Sequence, residues 1–360
     1  MTGREAIFEN RYVLNLCSAI NRITSFIVLK ILILQTAFIG DVVLASPLID
    51  AVKKEYPYAE VSLLTIPYSA PALKNHPGLK EIIVFDKRGK GGFCNTLKMV
   101  KRLKNDNFNL ALVPHRSFRS AAIVWAAGIP QRIGFDRSAG RLLFTDVIEY
   151  RKDWHEVKRN LSLLGMEKEN IAPKIYPGEA EEAKASQLLE RFGVKNGFIA
   201  IAPGSVWDTK RWPEVYFQEL CGSMRKRGFP QVILVGAANE RELCERIAAG
   251  MEGYGFIAAG ELNPLESGAL LERAAVLVTN DSAAGHIAAA VGTNVMSIFG
   301  PTAPDFGFAP YGEGHIIVEH PDLYCRPCRI HGSRRCPEQH FRCMKELRPE
   351  TVIKVLESMF

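Results

Sequence analysis

Residues 27–48 read IVLKILILQTAFIGDVVLASPL, and they decide the fold. From Ile27 to Leu34 the side chains are aliphatic except Lys30, the composition of a strand covered on both faces. A loop with a glycine follows, Gln35 to Asp41, and apolar residues then return at Leu44, Leu48, Val52 and Tyr56 with helical spacing. Buried strand, loop and helix make the opening unit of a parallel α/β sheet.

The unit recurs outward from this point. Short aliphatic runs stand at Val61–Leu64, Ile82–Phe85 and Leu110–Val113, separated by helical stretches around Leu97–Leu103 and Ala121–Ala127. Pro173, Pro177 and Gly178 mark a linker, and a polar helix is expected over Glu179–Phe192. A second series then begins, with strands expected at Phe198–Ala202, Val232–Val235, Ala275–Thr279 and Val295–Phe299. The expectation is an α/β protein of two Rossmann-like, doubly wound parallel-sheet domains facing a central cleft, 27–174 and 175–360. Open sheets of this kind bind ligands beyond the carboxyl ends of their strands. Residues 1–26 form an N-terminal extension in which Ile7, Leu14, Ile20 and Ile23 are spaced as on an amphipathic helix. It reads either as a membrane-surface helix or as a variable extension.

Composition narrows the function classes. A chain of 360 residues, 47% hydrophobic, buries cores for two domains, and its net charge of +6 favours anionic partners but is too mild for a nucleic-acid coat. Asn15, Asn21, Arg22 and Lys30 interrupt the most apolar region, so no spanning segment of about 18 residues is expected. Glu5 and Glu9 sit where a secretory signal carries basic residues, which points to a cytoplasmic protein. Eight cysteines, some in isolated apolar settings such as Cys17 and Cys221, suit a reducing compartment.

Chemistry concentrates on the loops after strands. Asp41 follows the first strand at a helix start, and it reads either as a general base or as a helix cap. In APGSVWDTKRWP, 202–213, Gly204 permits close backbone approach, Ser205 offers a hydroxyl and Lys210 a cation, and the loop reads either as a diphosphate seat or as a solvated basic turn. No Gly-Lys-Ser/Thr follows, so this is not a nucleotide triphosphatase loop. In TNDSAAGH, 279–286, the small Ser282, Ala283 and Ala284 leave helix-start amides open to a phosphate, Asp281 can face sugar hydroxyls, and His286 either contacts the diphosphate or fills the core. Gly236, Glu240 and Gly260 read as a nucleoside pocket or as ordinary turns. Lys87, Arg88 and Lys90, then His115, Arg116 and Arg119, then Arg132, Arg137 and Arg141 make the first half basic; Lys87 to Lys90 read as a solvated loop, and Arg116 and Arg119, at a strand end, are better placed for an anionic acceptor. Cys325, Cys328, Cys336 and Cys343 read as a structural metal knuckle, as free thiols or as a redox pair.

Five segments taken in order, ILILQTAFIGDVVLASP (31–47), HRSFRS (115–120), PGSVWDTKRWP (203–213), TNDSAAGHIAAA (279–290) and FGPTAP (299–304), resemble glycosyltransferase family 9, the ADP-heptose:lipopolysaccharide heptosyltransferases. The PGS and TKRWP spelling is more like the second heptosyltransferases than the first, whereas Ala283-Ala284 replaces a bulkier pair common in the family. The resemblance implies a GT-B fold and inverting transfer from ADP-heptose to the lipopolysaccharide inner core. It further implies no cofactor, no catalytic metal and no nucleic-acid partner, with peripheral contact to the cytoplasmic face of the inner membrane. On this likeness Asp41 matches the base. Ser205, Lys210, Asp281, Ser282, Ala283, Ala284 and His286 match donor contacts, and Arg116 and Arg119 face the acceptor. Two rival readings of the same plan are a nucleotide-sugar epimerase or hydrolase and a non-catalytic nucleotide-sugar-binding protein. A dinucleotide oxidoreductase is disfavoured, since GxGxxG is missing after the first strand.

Overall fold

The computed structural model describes residues 28–87, 89 and 92–360, so the 1–26 extension, with Arg88 and Lys90, lies outside the described residues. The aliphatic run yields β1 (Lys30–Leu34), whose Ile31 to Leu34 are wholly buried. Val28 is half exposed ahead of it, so the strand starts later than the run.

Further along lie β2 (Glu60–Thr65), β3 (Glu81–Val84), β4 (Leu110–Val113), β5 (Gln131–Phe135) and β6 (Asp146–Ile148). The second half supplies β7 (Phe198–Ala202), β8 (Val232–Leu234), β9 (Gly255–Ile257), β10 (Ala274–Asn280), β11 (Asn294–Phe299) and β12 (Ile316–Glu319). The six-stranded sheets have the orders β3-β2-β1-β4-β5-β6 and β12-β11-β10-β7-β8-β9. Read from the first strand of each half, these are one topology, and every pairing is parallel. Strand order reverses direction between β1 and β4 and between β7 and β10, which opens a crevice at the carboxyl ends of those two pairs. Asp41 follows β1, His115 and Arg116 follow β4, the 203–212 loop follows β7, and Asp281 follows β10.

The helical region after β1 is two helices rather than one. Ile39–Leu44 ends at Ala45, and Ser46–Glu55 starts with Pro47 in its first turn, where a missing N–H and a preset φ cost nothing. The sequence reading also omits β5, β6, β9 and β12. β6 and β9 are three-residue edge strands of partial burial, and β5 carries Gln131 and Arg132 at one end.

A single apolar core runs through both halves, joining Ile31, Leu48 and Ala72 to Phe198, Leu265, Leu277 and Ile287. Ile175, in the linker, is part of it, and its Cδ1 lies 2.6 Å from where a Cβ on Gly268 would stand. The Ile39–Leu44 helix meets the Ala283–Ala290 helix across the seam between the halves.

Candidate functional site

Asp41 lies in the first turn of the Ile39–Leu44 helix and is half-buried. Its Oδ2 accepts the Phe38 backbone N–H at 3.1 Å, so the carboxylate caps its own helix. Burial pushes its pKa up to about 7, the charge of Glu156 pushes the same way, and the Phe38 N–H and the charge of Arg116 pull it back. Neighbouring Gly40 meets the other half of the molecule. A Cβ there would stand 2.8 Å from Cδ2 of His286 and 3.8 Å from Cα of Ala283, so the close approach requires glycine.

His286 is therefore at the seam, buried, beside the residue that precedes Asp41. Burial lowers its pKa to about 4, and its Nδ1 is buried with no hydrogen-bond partner among the described residues. A neutral imidazole with an open polar atom suits a ligand contact better than a saturated core position.

In the second half Lys210 Nζ lies 2.6 Å from Asp281 Oδ2, and Thr302 donates its hydroxyl to the same oxygen at 2.7 Å. Both charged side chains are largely shielded from water. Asn280 stitches the two loops together: its Oδ1 accepts the Trp212 N–H at 3.0 Å and its amide donates to Pro203 O at 2.7 Å. Trp212 is buried and anchors the loop through Nε1 to Leu347 O at 2.8 Å. Ser282 bonds Thr279 Oγ1 at 3.1 Å and does not cap its helix, which leaves the first-turn amides at Ala283 and Ala284 without a side-chain partner. Ser205 is buried, and its carbonyl accepts Arg211 Nε at 2.8 Å. Glu240 folds over Gly204 and Gly236, and Gly260 lies against Ala238, so the weak nucleoside candidates do gather beside the 203–212 loop.

The C-terminal segment completes this loop, which sequence reasoning missed. The Thr209 N–H and hydroxyl donate to Ser333 O at 3.1 and 2.8 Å, and the Ser333 N–H donates back to Thr209 Oγ1 at 2.8 Å. Gly332 stands against Lys210 and Trp207. Exposed His331 lies within electrostatic reach of Lys210, Arg116 and Asp281, so it belongs to the same cleft.

In the first half the Arg116 guanidinium lies 4.2 Å above the Tyr150 ring. Arg119 is exposed and donates to Lys87 O at 3.2 Å. Beside it opens a cavity of about 460 Å³ lined by Thr36, Lys87, His115, Ser117, Arg119 and Ser120 among others. His115 Nδ1 is bonded to Thr36 and Ser120 hydroxyls at 2.9 and 2.8 Å, and burial first, then Lys87 and Arg116, lower its pKa to about 4. Arg132 is taken up by the Leu143 and Ile129 carbonyls and plays no part in the cleft.

Cys325, Cys328, Cys336 and Cys343 are free thiols. Cys325 Sγ lies 3.9 Å from His340 Nε2, and the Cys328 thiol donates to Cys325 O at 3.0 Å. Among the described residues no three His, Cys, Asp or Glu side chains are arranged to hold a metal ion. No helix among them is long and apolar enough to cross a membrane.

Comparison with known proteins agrees with this architecture. The chain is 29% identical over 292 residues to lipopolysaccharide heptosyltransferase 3 of Escherichia coli strain K12, covering 77% of this chain and 84% of the relative. Its fold matches E. coli ADP-heptose lps heptosyltransferase II with a TM-score of 0.76 at 24% identity, over 92% of this chain and 98% of the other. It matches a glycosyl transferase family 9 structure from Veillonella parvula with a TM-score of 0.83 at 21% identity, over 92% and 96%. Residues 96–340 fit the family described as glycosyltransferase family 9 (heptosyltransferase), and the chain belongs to that family.

Proposed function

We propose that this glycosyltransferase moves heptose from ADP-heptose to the lipopolysaccharide inner core, with inversion and without a catalytic metal. The observation that carries the reading is the meeting at the seam. Gly40-Asp41 abuts His286 and Ala283, on the helix that follows the Lys210-bound Asp281. The donor's diphosphate fits the Ala283 and Ala284 amides and Lys210, with Asp281 and Thr302 left to face sugar hydroxyls. Asp41 removes the proton of an acceptor hydroxyl as that oxygen attacks the anomeric carbon from the face opposite ADP. One displacement inverts the configuration, and Lys210 with the helix-start amides offsets the charge growing on the departing diphosphate. A pKa of about 7 keeps Asp41 basic enough to take the proton and ionised enough to be ready for it.

The cationic cavity takes an anionic group of the acceptor, with Arg119 and Lys87 on its rim. Peripheral membrane contact has support in an exposed face beside it: Phe118 and Trp125 share one side of a helix, and Leu142 is 90% exposed, with Arg119, Arg137 and Arg141 around them.

The test is transfer to purified lipid A core acceptors, followed by mass spectrometry, with wild type and Asp41→Asn. Loss of a general base costs on the order of 100- to 10,000-fold in rate, while ADP binding by calorimetry stays near wild type and chelator leaves transfer unchanged. Donor consumption without acceptor indicates an epimerase or hydrolase instead. Near-normal turnover by Asp41→Asn removes the mechanism.

A further inference from the structure

Glu156 is a buried acid that the transfer chemistry does not use. Glu156 opens the Glu156–Ser162 helix and is 4% exposed, a setting in which a carboxylate must be paired. Its Oε2 lies 3.0 Å from Arg159 Nη1 and accepts the Tyr150 hydroxyl at 3.3 Å. Arg159 is as buried, and it directs its other donors to the Tyr150 oxygen, to Trp154 O at 2.8 and 2.5 Å, and to Phe306 O at 2.5 Å. The Glu156 N–H itself donates to Gly307 O at 2.8 Å. Two of these partners, Phe306 and Gly307, follow β11 and so belong to the second half.

The Tyr150 ring is consequently held at its hydroxyl end by Glu156 and Arg159, and Phe135 meets it edge-on at 5.3 Å. Its face carries the Arg116 guanidinium. Among the described residues Arg116 has no hydrogen-bonded side-chain partner, so the ring is its seat. Within this cluster Asp41 and Arg116 are partly exposed, while Glu156 and Arg159 are buried.

We propose that Glu156 is a positioning residue for the transfer: through Tyr150 it fixes the Arg116 guanidinium that is presented to the acceptor, within electrostatic reach of Asp41. It does not touch substrate. The inference rests on Asp41 being the base. The Glu156 charge favours the protonated form of Asp41 and Arg116 opposes this, while burial raises the pKa of Glu156 itself and Arg159 and Arg116 hold it down. The same Arg116 is presented to the acceptor's anionic group, so one buried acid bears on both the base and the acceptor seat.

The test compares the pH dependence of kcat/KM, acceptor KM and ADP affinity in wild type, Glu156→Gln, Tyr150→Phe and Asp41→Asn. Glu156→Gln keeps the shape and removes the charge. Its acidic limb moves to lower pH, because a neighbouring negative charge that raised the Asp41 pKa is gone. Its acceptor KM rises roughly three- to tenfold, the scale of a cation losing a fixed aromatic seat, with ADP affinity unchanged. Tyr150→Phe retains the buried Glu156–Arg159 pair and cuts only the hydroxyl relay, so acceptor KM rises while the limb stays in place. If Glu156→Gln does not fold, Tyr150→Phe decides: an acceptor KM equal to wild type overturns the proposal. An unmoved limb with unchanged acceptor KM in folded Glu156→Gln overturns it as well. Full activity in Asp41→Asn would instead sink the assignment of the base and is distinguishable from both.

Discussion

At Asp41 two roles meet on a single carboxylate. One oxygen accepts the Phe38 N–H as a helix cap would, and the group still stands at the seam with its pKa raised by burial. The two readings that the sequence left open are therefore compatible. Gly40, beside it, is the stricter position, because its missing side chain is what lets His286 approach. In Gly40→Ala the added methyl would sit 2.8 Å from an imidazole carbon, so the His286 ring or the Asp41 turn must shift. Misplacement of about 1 Å costs on the order of a hundredfold in rate, and kcat is expected to fall by that scale with little loss of thermal stability. Wild-type kcat in this variant would mean that the seam relaxes freely.

Among the elements, the strands that place the chemistry were the easiest to read. β1, β4 and β7 are buried over all or nearly all their length, which leaves an aliphatic run in the sequence, and the loops after them carry the residues of the cleft. Short edge strands such as β6 and β9, with partial burial, leave no such trace. The same reasoning explains which site residues were hidden. Glu156 and Tyr150 lie between the two sheets and His331 beyond them, so no strand or helix period marks them. An acid and an arginine three apart at a helix start, Glu156 and Arg159, were the only local signal. The Thr209–Ser333 clasp belongs to this scale too, since it joins a β7 loop to the C-terminal segment. Thr209→Val removes two side-chain hydrogen bonds of about 1 kcal/mol each. ADP affinity, measured by calorimetry, is expected to weaken about tenfold while both sheets stay folded. Unchanged affinity would show that the clasp does not set the Lys210 loop.

For the whole molecule, the two halves are one topology used twice, joined by a common apolar core through Ile175 and Ala269. That arrangement was legible in outline from two series of strand-loop-helix units, but the shared core was not, because a side chain's sequence neighbours do not say which half it packs against. The exposed Phe118, Trp125 and Leu142 lie on the first half, Phe118 being the chain neighbour of Arg119, which borders the cavity. A double variant Phe118→Glu, Trp125→Glu is expected to lose sedimentation with vesicles containing phosphatidylglycerol while retaining ADP binding. It should also keep activity on a water-soluble acceptor fragment, since the change lies outside the reacting groups. Equal vesicle binding by both proteins would place the membrane contact elsewhere.

The Thr209–Ser333 clasp also has a bearing on how the enzyme comes into being. During synthesis the residues of both sheets leave the ribosome before Ser333 does, yet the loop carrying Lys210 has its partner only once that late segment emerges. A nascent chain can thus pair the strands of both sheets before the Lys210 loop is held, and termination ahead of Ser333 would leave that loop unclasped and also strip Met344, Leu347, Val352, Ile353 and Leu356 from the second half's core.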